Sequence, residues 1–301
     1  MVDQPYRGAH LCGTHFRASV RERVRREMHR QIPRFAGGTI AVALSGGKDS
    51  SVALTFVHEY FARRPNVRLV AITVDEGIKG YRTGTIARAT ELAQLLGIEH
   101  RIVHTRNALG VTTDGAAATL PGTIPCSFCG VWRRRLLNDT AQAVDAQVLV
   151  LGFNLDDLAQ TVLMNLARAD LDRLRRMAPH RSRQPGLVPR VAPLAMIPER
   201  EVFLYAHLSH LPFDHGVCPH ATHAARNVFR EVVWQLEEAL PGTRHALVRT
   251  RERLLPLLDT DSSMGTPGRC LQCGSPAAGE RCRACTYLDE ARGMVMPVAD
   301  S

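Results

Sequence analysis

Two groups of residues in this 301-residue chain have the types and spacing that chemistry needs. The first is Ser45-Gly46-Gly47-Lys48-Asp49-Ser50, directly after the apolar run Thr39–Leu44 and before a helix-like stretch from Ser50 to Tyr60. Strand, glycine turn and helix in that order make an anion site. Glycines let backbone N–H groups approach a ligand, and the helix aims its unpaired N–H groups and dipole at the same point. Ser45 and Ser50 add hydroxyls, Lys48 a compact positive charge, and Asp49 a ligand for a magnesium ion bridging phosphate oxygens. The G-x-x-x-x-G-K-[ST] pattern of the Walker A loop is absent. Lysine is otherwise nearly avoided: against thirty-six arginines only Lys48 and Lys79 occur, the latter in Val74-Asp75-Glu76-Gly77-Ile78-Lys79-Gly80-Tyr81-Arg82.

The second group is the eight cysteines. Cys270, Cys273, Cys282 and Cys285 read Cys-x-x-Cys, eight residues, Cys-x-x-Cys, a spacing that closes a tetrahedral structural zinc site. Near the start, His10, Cys12 and His15 look like half a zinc knuckle whose first Cys-x-x-Cys is missing. Cys126 and Cys129 lie just before a helix-like run from Val131 to Asp145, and Cys218 lies far away before Pro219. Three such thiols suit a [4Fe–4S] cluster with one iron lacking a protein ligand, or a persulfide resolved by a second cysteine. A zinc site completed by His215 or His220, or inert buried thiols, also fit the spacing. In a cytosolic chain, paired cysteines point to metal or redox chemistry more than to disulfides.

Strand candidates Ile40–Leu44, Val67–Val74, His100–His104 and Gln147–Gly152 alternate with helices through about residue 215. The expected fold class is α/β: an open, mostly parallel sheet with helices on both faces, plus a C-terminal zinc ribbon. The expected organisation is a remnant knuckle and basic helix (1–35), a nucleotide domain (36–220), a helical extension (221–258) and a four-cysteine knuckle (259–301). The longest apolar runs, such as Val148–Phe153, are strand-sized, and no secretory leader is evident, so no membrane partner and a cytoplasmic location are expected. A net charge of +9 favours a polyanionic partner. Arginines crowd residues 17–34, interleaved with Glu22 and Glu27. They crowd again at Arg168, Arg173, Arg175, Arg176, Arg181, Arg183 and Arg190, the better nucleic-acid candidate.

The SGGKDS loop resembles that of the N-type ATP pyrophosphatases. Together with VDEGIKGYR at 74–82, CSFCG at 126–130, GFNLDDLAQTVLMNLARAD at 152–170, Cys218-Pro219 and the last four cysteines, the chain is similar to the TtuA/TtcA group of tRNA 2-thiolation enzymes, in the branch with terminal zinc fingers. The resemblance implies that Ser45, Gly46, Gly47, Lys48, Asp49 and Ser50 bind ATP and Mg2+, bordered by Ala43, Lys79 and Gly152. It implies that Cys126, Cys129 and Cys218 hold a [4Fe–4S] cluster and that Asp157 and Arg133 stand at the reacting centre. In the implied reaction AMP is attached to the uridine C2 oxygen, pyrophosphate leaves, and sulfur then replaces the activated oxygen. Implied partners are tRNA, a ubiquitin-like thiocarboxylate protein as sulfur donor, and a second copy of the chain. Two positions depart from the family pattern. Phe153 stands where histidine is common, and Arg133 where a basic residue, often lysine, is found; arginine keeps the charge but does not release its proton. Two alternatives carry other predictions: a PP-loop tRNA ligase without sulfur transfer, which leaves the three cysteines idle, and a zinc-ribbon tRNA-binding protein with a vestigial nucleotide site. The motifs leave open whether a wobble or a T-loop uridine is modified.

Overall fold

The computed structural model describes residues 1–120, 122–180, 184–223, 226–259 and 268–293. A short antiparallel hairpin, β1 (Val2–Gln4) and β2 (Ala9–Leu11), leads into the arginine-rich helix α1 (Gly13–Gln31). Phe16, Val20, Val24 and Met28 recur at helical spacing and are buried, which seats α1 on the domain. Its arginines are largely spoken for: Arg21 pairs with Glu59, Arg23 with Glu201, Arg26 with Glu22, and Arg30 with Glu27 and Glu252.

The central sheet begins with β3 (Gly38–Ala43), followed by α2 (Lys48–Phe61), β4 (Val67–Asp75), α3 (Arg82–Leu95) and β5 (Glu99–His104). Short helices α4 (Thr105–Leu109) and α5 (Thr113–Thr119) lead to α6 (Pro125–Ala143), β6 (Ala146–Val150), α7 (Leu155–Leu166), α8 (Leu171–Arg175) and the two-residue β7 (Arg190–Val191). The strand order is β5-β4-β3-β6-β7, parallel throughout. The chain runs outward from β3 to β4 and β5, then returns to β3's other side as β6. The carboxyl ends of β3 and β6 therefore flank a topological switch point, where open α/β sheets bind ligands.

Alternate residues of each strand feed two cores, as strands buried on both faces require. Ile40, Val42, Val148 and Val150 join α1, α2 and α3 on one face. Ala41, Ile72 and Leu149 meet Phe128, Trp132 and Leu136 of α6 on the other. Helix α9 (Glu199–Leu208) packs on α2, and α10 (Arg226–Ala239) and α11 (Thr243–Asp259) pack on α7. The helical extension over 221–258 consists of two helices, broken where Pro241 and Gly242 (φ +101°) turn the chain.

The cysteine-rich end contains β8 (Gly268–Arg269), β9 (Pro276–Ala277) and α12 (Arg283–Ala291). It shares the α6 core rather than standing apart. Trp132 Nε1 donates to Ala284 O at 3.2 Å, and Cys270, Cys282 and Cys285 are buried in the same cluster as Phe128 and Trp132. Residues 260–267, at the start of the expected four-cysteine segment, lie outside the described residues. Among the described residues no helix is long and apolar enough to cross a membrane.

Candidate active site

The loop between β3 and α2 depends on Gly46. Its φ is +86°, and a Cβ there would stand 1.8 Å from the Thr85 carbonyl oxygen, so neither conformation nor space admits a side chain. Ser50 Oγ accepts from the Ser45 N–H (3.1 Å) and donates to Gly47 O (2.9 Å), closing the loop onto the first turn of α2. Gly152, just past β6, packs against that turn: a Cβ would fall 2.9 Å from Ser50 N. Ala43 ends β3 immediately before the loop.

Acidic groups surround Lys48. Its Nζ lies 3.0 Å from Asp49 Oδ2 and 2.8 Å from Glu199 Oε1 at the start of α9. Burial opposes the lysine charge, but the two carboxylates outweigh it and hold its pKa above the ordinary lysine value. The other oxygen of Asp49, Oδ1, accepts from Asn154 Nδ2 at 2.9 Å. Asn154 is the N-cap of α7 and forms a capping box with Asp157: Asn154 Oδ1 accepts from Asp157 N, and Asp157 Oδ2 accepts from Asn154 N. Sequence reading favours Asp156 as a first-turn acid, where it does lie, or for the capping role. The structure gives it to Asp157, three residues beyond the cap, while Asp156 accepts from Glu199 N (2.7 Å) and Arg244 (2.6 Å). Burial raises the Asp157 pKa to about 6; Arg226, 3.2 Å away, opposes the rise and the nearby Asp49 charge adds to it.

The cysteine pair sits in the first turn of α6, not ahead of a helix beginning at Val131. Pro125 occupies the first helical position, where its missing N–H is harmless and its fixed φ suits the helix. Starting there places Cys126 and Cys129 three apart on one face. Cys126 is exposed and Cys129 half-buried. Cys218, also half-buried, arrives on the segment after α9. That segment is tied to the nucleotide loop: Asp214 N donates to Gly46 O (2.8 Å), and Ser51 Oγ donates to Pro212 O (3.2 Å). Cys126 Sγ donates to His220 O at 3.5 Å, and His220 Nε2 lies 2.8 Å from Asp114 Oδ1. Burial pushes the Cys126 thiol up, and Cys218, two residues before the His220 carbonyl that meets Cys126, adds to the rise. Lys79 lies on this side: its backbone N–H donates to Asp114 Oδ2 (2.9 Å), its side chain is exposed, and no contact joins it to the glycine loop.

A buried ion pair joins the two halves. Glu76 and Arg82, both nearly inaccessible, approach to 2.8 Å. Arg82 donates to Ser45 O of the nucleotide loop (3.2 Å) and to Val74 O (2.5 Å), while Glu76 also meets Arg133 of α6 at 3.4 Å. Arg133 is thus anchored one turn beyond Cys129, facing the same site.

The two thiol sets differ as ligands. The Sγ atoms of Cys270, Cys273, Cys282 and Cys285 all lie within 4.8 Å of one another. A tetrahedral zinc ion with Zn–S of about 2.3 Å sets its sulfurs about 3.8 Å apart, so the set fits one ion. Cys126, Cys129 and Cys218 are not drawn together to that degree. Among the described residues the four-cysteine group alone is so tight. Three looser thiols with a cationic neighbour and open access suit a group of several metal atoms rather than one closed ion. At the N-terminus, His10 turns to Asp3 (3.3 Å) and Cys12 to His15 (3.0 Å).

The PP-loop domain family matches residues 20–237. The chain is 40% identical to the tRNA 2-thiolation protein NcsA of Haloferax volcanii, over 94% of each chain. The chain belongs to the PP-loop tRNA 2-thiolation proteins. It is 37% identical to the cytoplasmic tRNA 2-thiolation protein 1 of Bos taurus, covering 95% of this chain and 83% of that one. The structure of the U34-tRNA thiolase NcsA from Methanococcus maripaludis, solved with its [4Fe-4S] cluster, superposes with a TM-score of 0.83 at 33% identity. The match covers 100% of this chain and 95% of the other.

Within this thiolation-protein fold, sequence reasoning missed five positioning residues. Asn154 was legible, because Asn-x-x-Asp before an apolar run is a capping-box pattern. Glu76 and Arg82 lay inside a quoted motif, but nothing in it says they pair. Glu199 and Asp214 gave no local signal, since they meet the loop only through the fold.

Proposed function

We propose that this chain is an ATP-dependent tRNA uridine 2-thiolase acting at U34. The observation that carries the reading is continuity: one buried pair, Glu76–Arg82, and one backbone bond, Asp214 to Gly46, fasten the nucleotide loop to the segments bearing the three cysteines. The names and the solved structure of the relatives support tRNA and U34 as target, and the name of the bovine relative supports a cytoplasmic setting.

ATP phosphates would lie on the N–H groups of Gly47 through Ser50, where α2 presents its positive end. Lys48 would exchange its carboxylate partners for phosphate oxygens, and Asp49 would turn to a magnesium ion. The uridine C2 oxygen is a poor leaving group; attack by it on the α-phosphate expels pyrophosphate and makes it a good one. Lys48 and the loop dipoles stabilise charge growing on the phosphates. Cys126, Cys129 and Cys218 would hold a [4Fe–4S] group, which when bound supplies an iron without a protein ligand as the point of sulfur delivery. Arg133, fixed by Glu76, would keep this side of the pocket positive without exchanging protons. The last four cysteines would hold zinc.

The test is anaerobic incubation of the purified protein with ATP, Mg2+, sulfide and a tRNA transcript carrying U34, followed by nucleoside mass spectrometry and pyrophosphate assay. 2-Thiouridine at position 34 with matching AMP is expected. Pyrophosphate release indifferent to tRNA, with no thiolated nucleoside, would overturn the reading.

A further inference from the structure

Three successive arginines on α6 meet different fates. Arg133 pairs with Glu76, and Arg135 pairs with Asp139 (3.5 Å) and lies 3.7 Å from Cys285 Sγ. Arg134, between them, has neither carboxylate nor carbonyl partner among the described residues. Its guanidinium folds back along the helix, with Nη1 3.3 Å from where a Cβ on Gly130 would be. Gly130 follows Cys129, so this free cation flanks the cysteine pair.

Its neighbours are cations too. Burial and then the charges of Arg133, Arg190 and Arg173 lower the Arg134 pKa to about 10. Arg190 on β7 also lacks an acidic partner among the described residues, and burial lowers its pKa. Arg173 is held by Asp170 at 3.1 Å.

The second basic cluster of the sequence thereby sorts itself. Arg175 and Arg176 share Asp172 as their partner, and Arg181 and Arg183 lie outside the described residues. Arg190 remains, and it lies on the sheet face that α6 covers: it pairs in register with Leu149, which packs against α6, and Val188, two residues before it, donates its N–H to Oδ1 of Asn138 (2.9 Å), one turn beyond Arg134. Arg134 and Arg190, like charges without an acidic partner among the described residues, repel one another, an arrangement that an anion relieves. Two planar guanidinium forks match the bidentate geometry of a phosphate.

We infer that Arg134 and Arg190, with Arg173 beside them, seat a backbone phosphate of the RNA whose base enters the cysteine site. The inference rests on the tRNA reading above. Phosphate contacts fix register without reading sequence, so the pair positions the substrate rather than selecting the base. RNA must be splayed for a base to reach a pocket, and a firm hold on the flanking backbone is what such a step requires.

The experiment measures binding of a fluorescently labelled tRNA transcript to the full chain by anisotropy, between about 50 and 200 mM salt. For Arg134→Gln/Arg190→Gln, affinity is expected to fall about tenfold or more, with the slope of log K against log salt reduced by about one to two. ATP affinity of the same variant should be unchanged, which also reports that it folds. Arg175→Gln/Arg176→Gln, removing arginines that share Asp172, should bind within about twofold of wild type. A double variant with wild-type affinity and slope would overturn the phosphate seat while leaving the tRNA reading intact. A wild-type chain with no salt-dependent tRNA binding would overturn both.

Discussion

The two thiol sets of this chain are built on opposite plans. The C-terminal four come from one stretch of sixteen residues, gather within 4.8 Å of one another, and sink three of their number into the core formed with Phe128 and Trp132. The other three come from segments nearly ninety residues apart, stay open to solvent at Cys126, and have Arg133 one turn beyond Cys129. A closed ligand set with its core satisfied has no place for a substrate, whereas an open one leaves a position for chemistry. In the proposed reading the same residue type serves architecture in one place and reactivity in the other, and spacing in sequence distinguishes them only for the first.

Substitution should separate these roles sharply. Cys126→Ala and Cys218→Ala are expected to reduce 2-thiouridine formation at least about 100-fold while leaving tRNA affinity and melting temperature near wild type; normal product yield from both variants would remove sulfur delivery from this trio. Glu76→Gln strands the buried Arg82 charge between the two halves of the open site. A loss of about 3–5 kcal/mol in denaturant unfolding is expected, with weakened ATP binding because Arg82 also holds Ser45 O. Cys282→Ser should do what the open cysteines do not: lower stability by about 3 kcal/mol, a fall in Tm on the order of 5–10 °C, with activity at low temperature largely kept. If instead it abolished thiolation in a fully folded protein, the closed set would belong to the chemistry.

The smallest effect is a pH dependence. Asp157 has its folded pKa raised to about 6 from 3.8, so its contribution is most favourable when protonated and is lost as pH rises through that window. In magnesium-free protein, Asp157→Asn escapes this loss. Relative to wild type, thermal melts should show its stability improving between pH 4 and 6, and flat above. A difference that did not change with pH would mean the carboxyl is not perturbed.

Much of this was readable beforehand, for physical reasons. The glycine loop, the strand alternation and the four-cysteine spacing are local patterns, set by backbone conformation, pleat and ligand reach over a few residues. Helix α6 starting six residues early was also a local matter, because Pro125 marks a first turn. Helix α1 is different. Its arginines look in sequence like a surface for a polyanion, yet Glu59, Glu201 and Glu252, distant in the chain, neutralise several of them. Charge composition counts residues and cannot see pairing. The cysteine-rich end likewise reads as an appendage, until Trp132 and Ala284 are found in one core.

Sequence alone determined the chemistry available here: a phosphate-binding turn, four cysteines at metal-ligand spacing, three further thiols, and the strands to carry them. Tertiary structure decided which of these work together. Asp214 ties the segment bearing Cys218 to the glycine loop and His220 beyond it meets Cys126, Lys48 waits on Glu199, and Arg134 has no counter-ion among the described residues while its neighbours find one. Such contacts join residues dozens to more than a hundred positions apart, and only the packing of helices on a twisted sheet sets those distances.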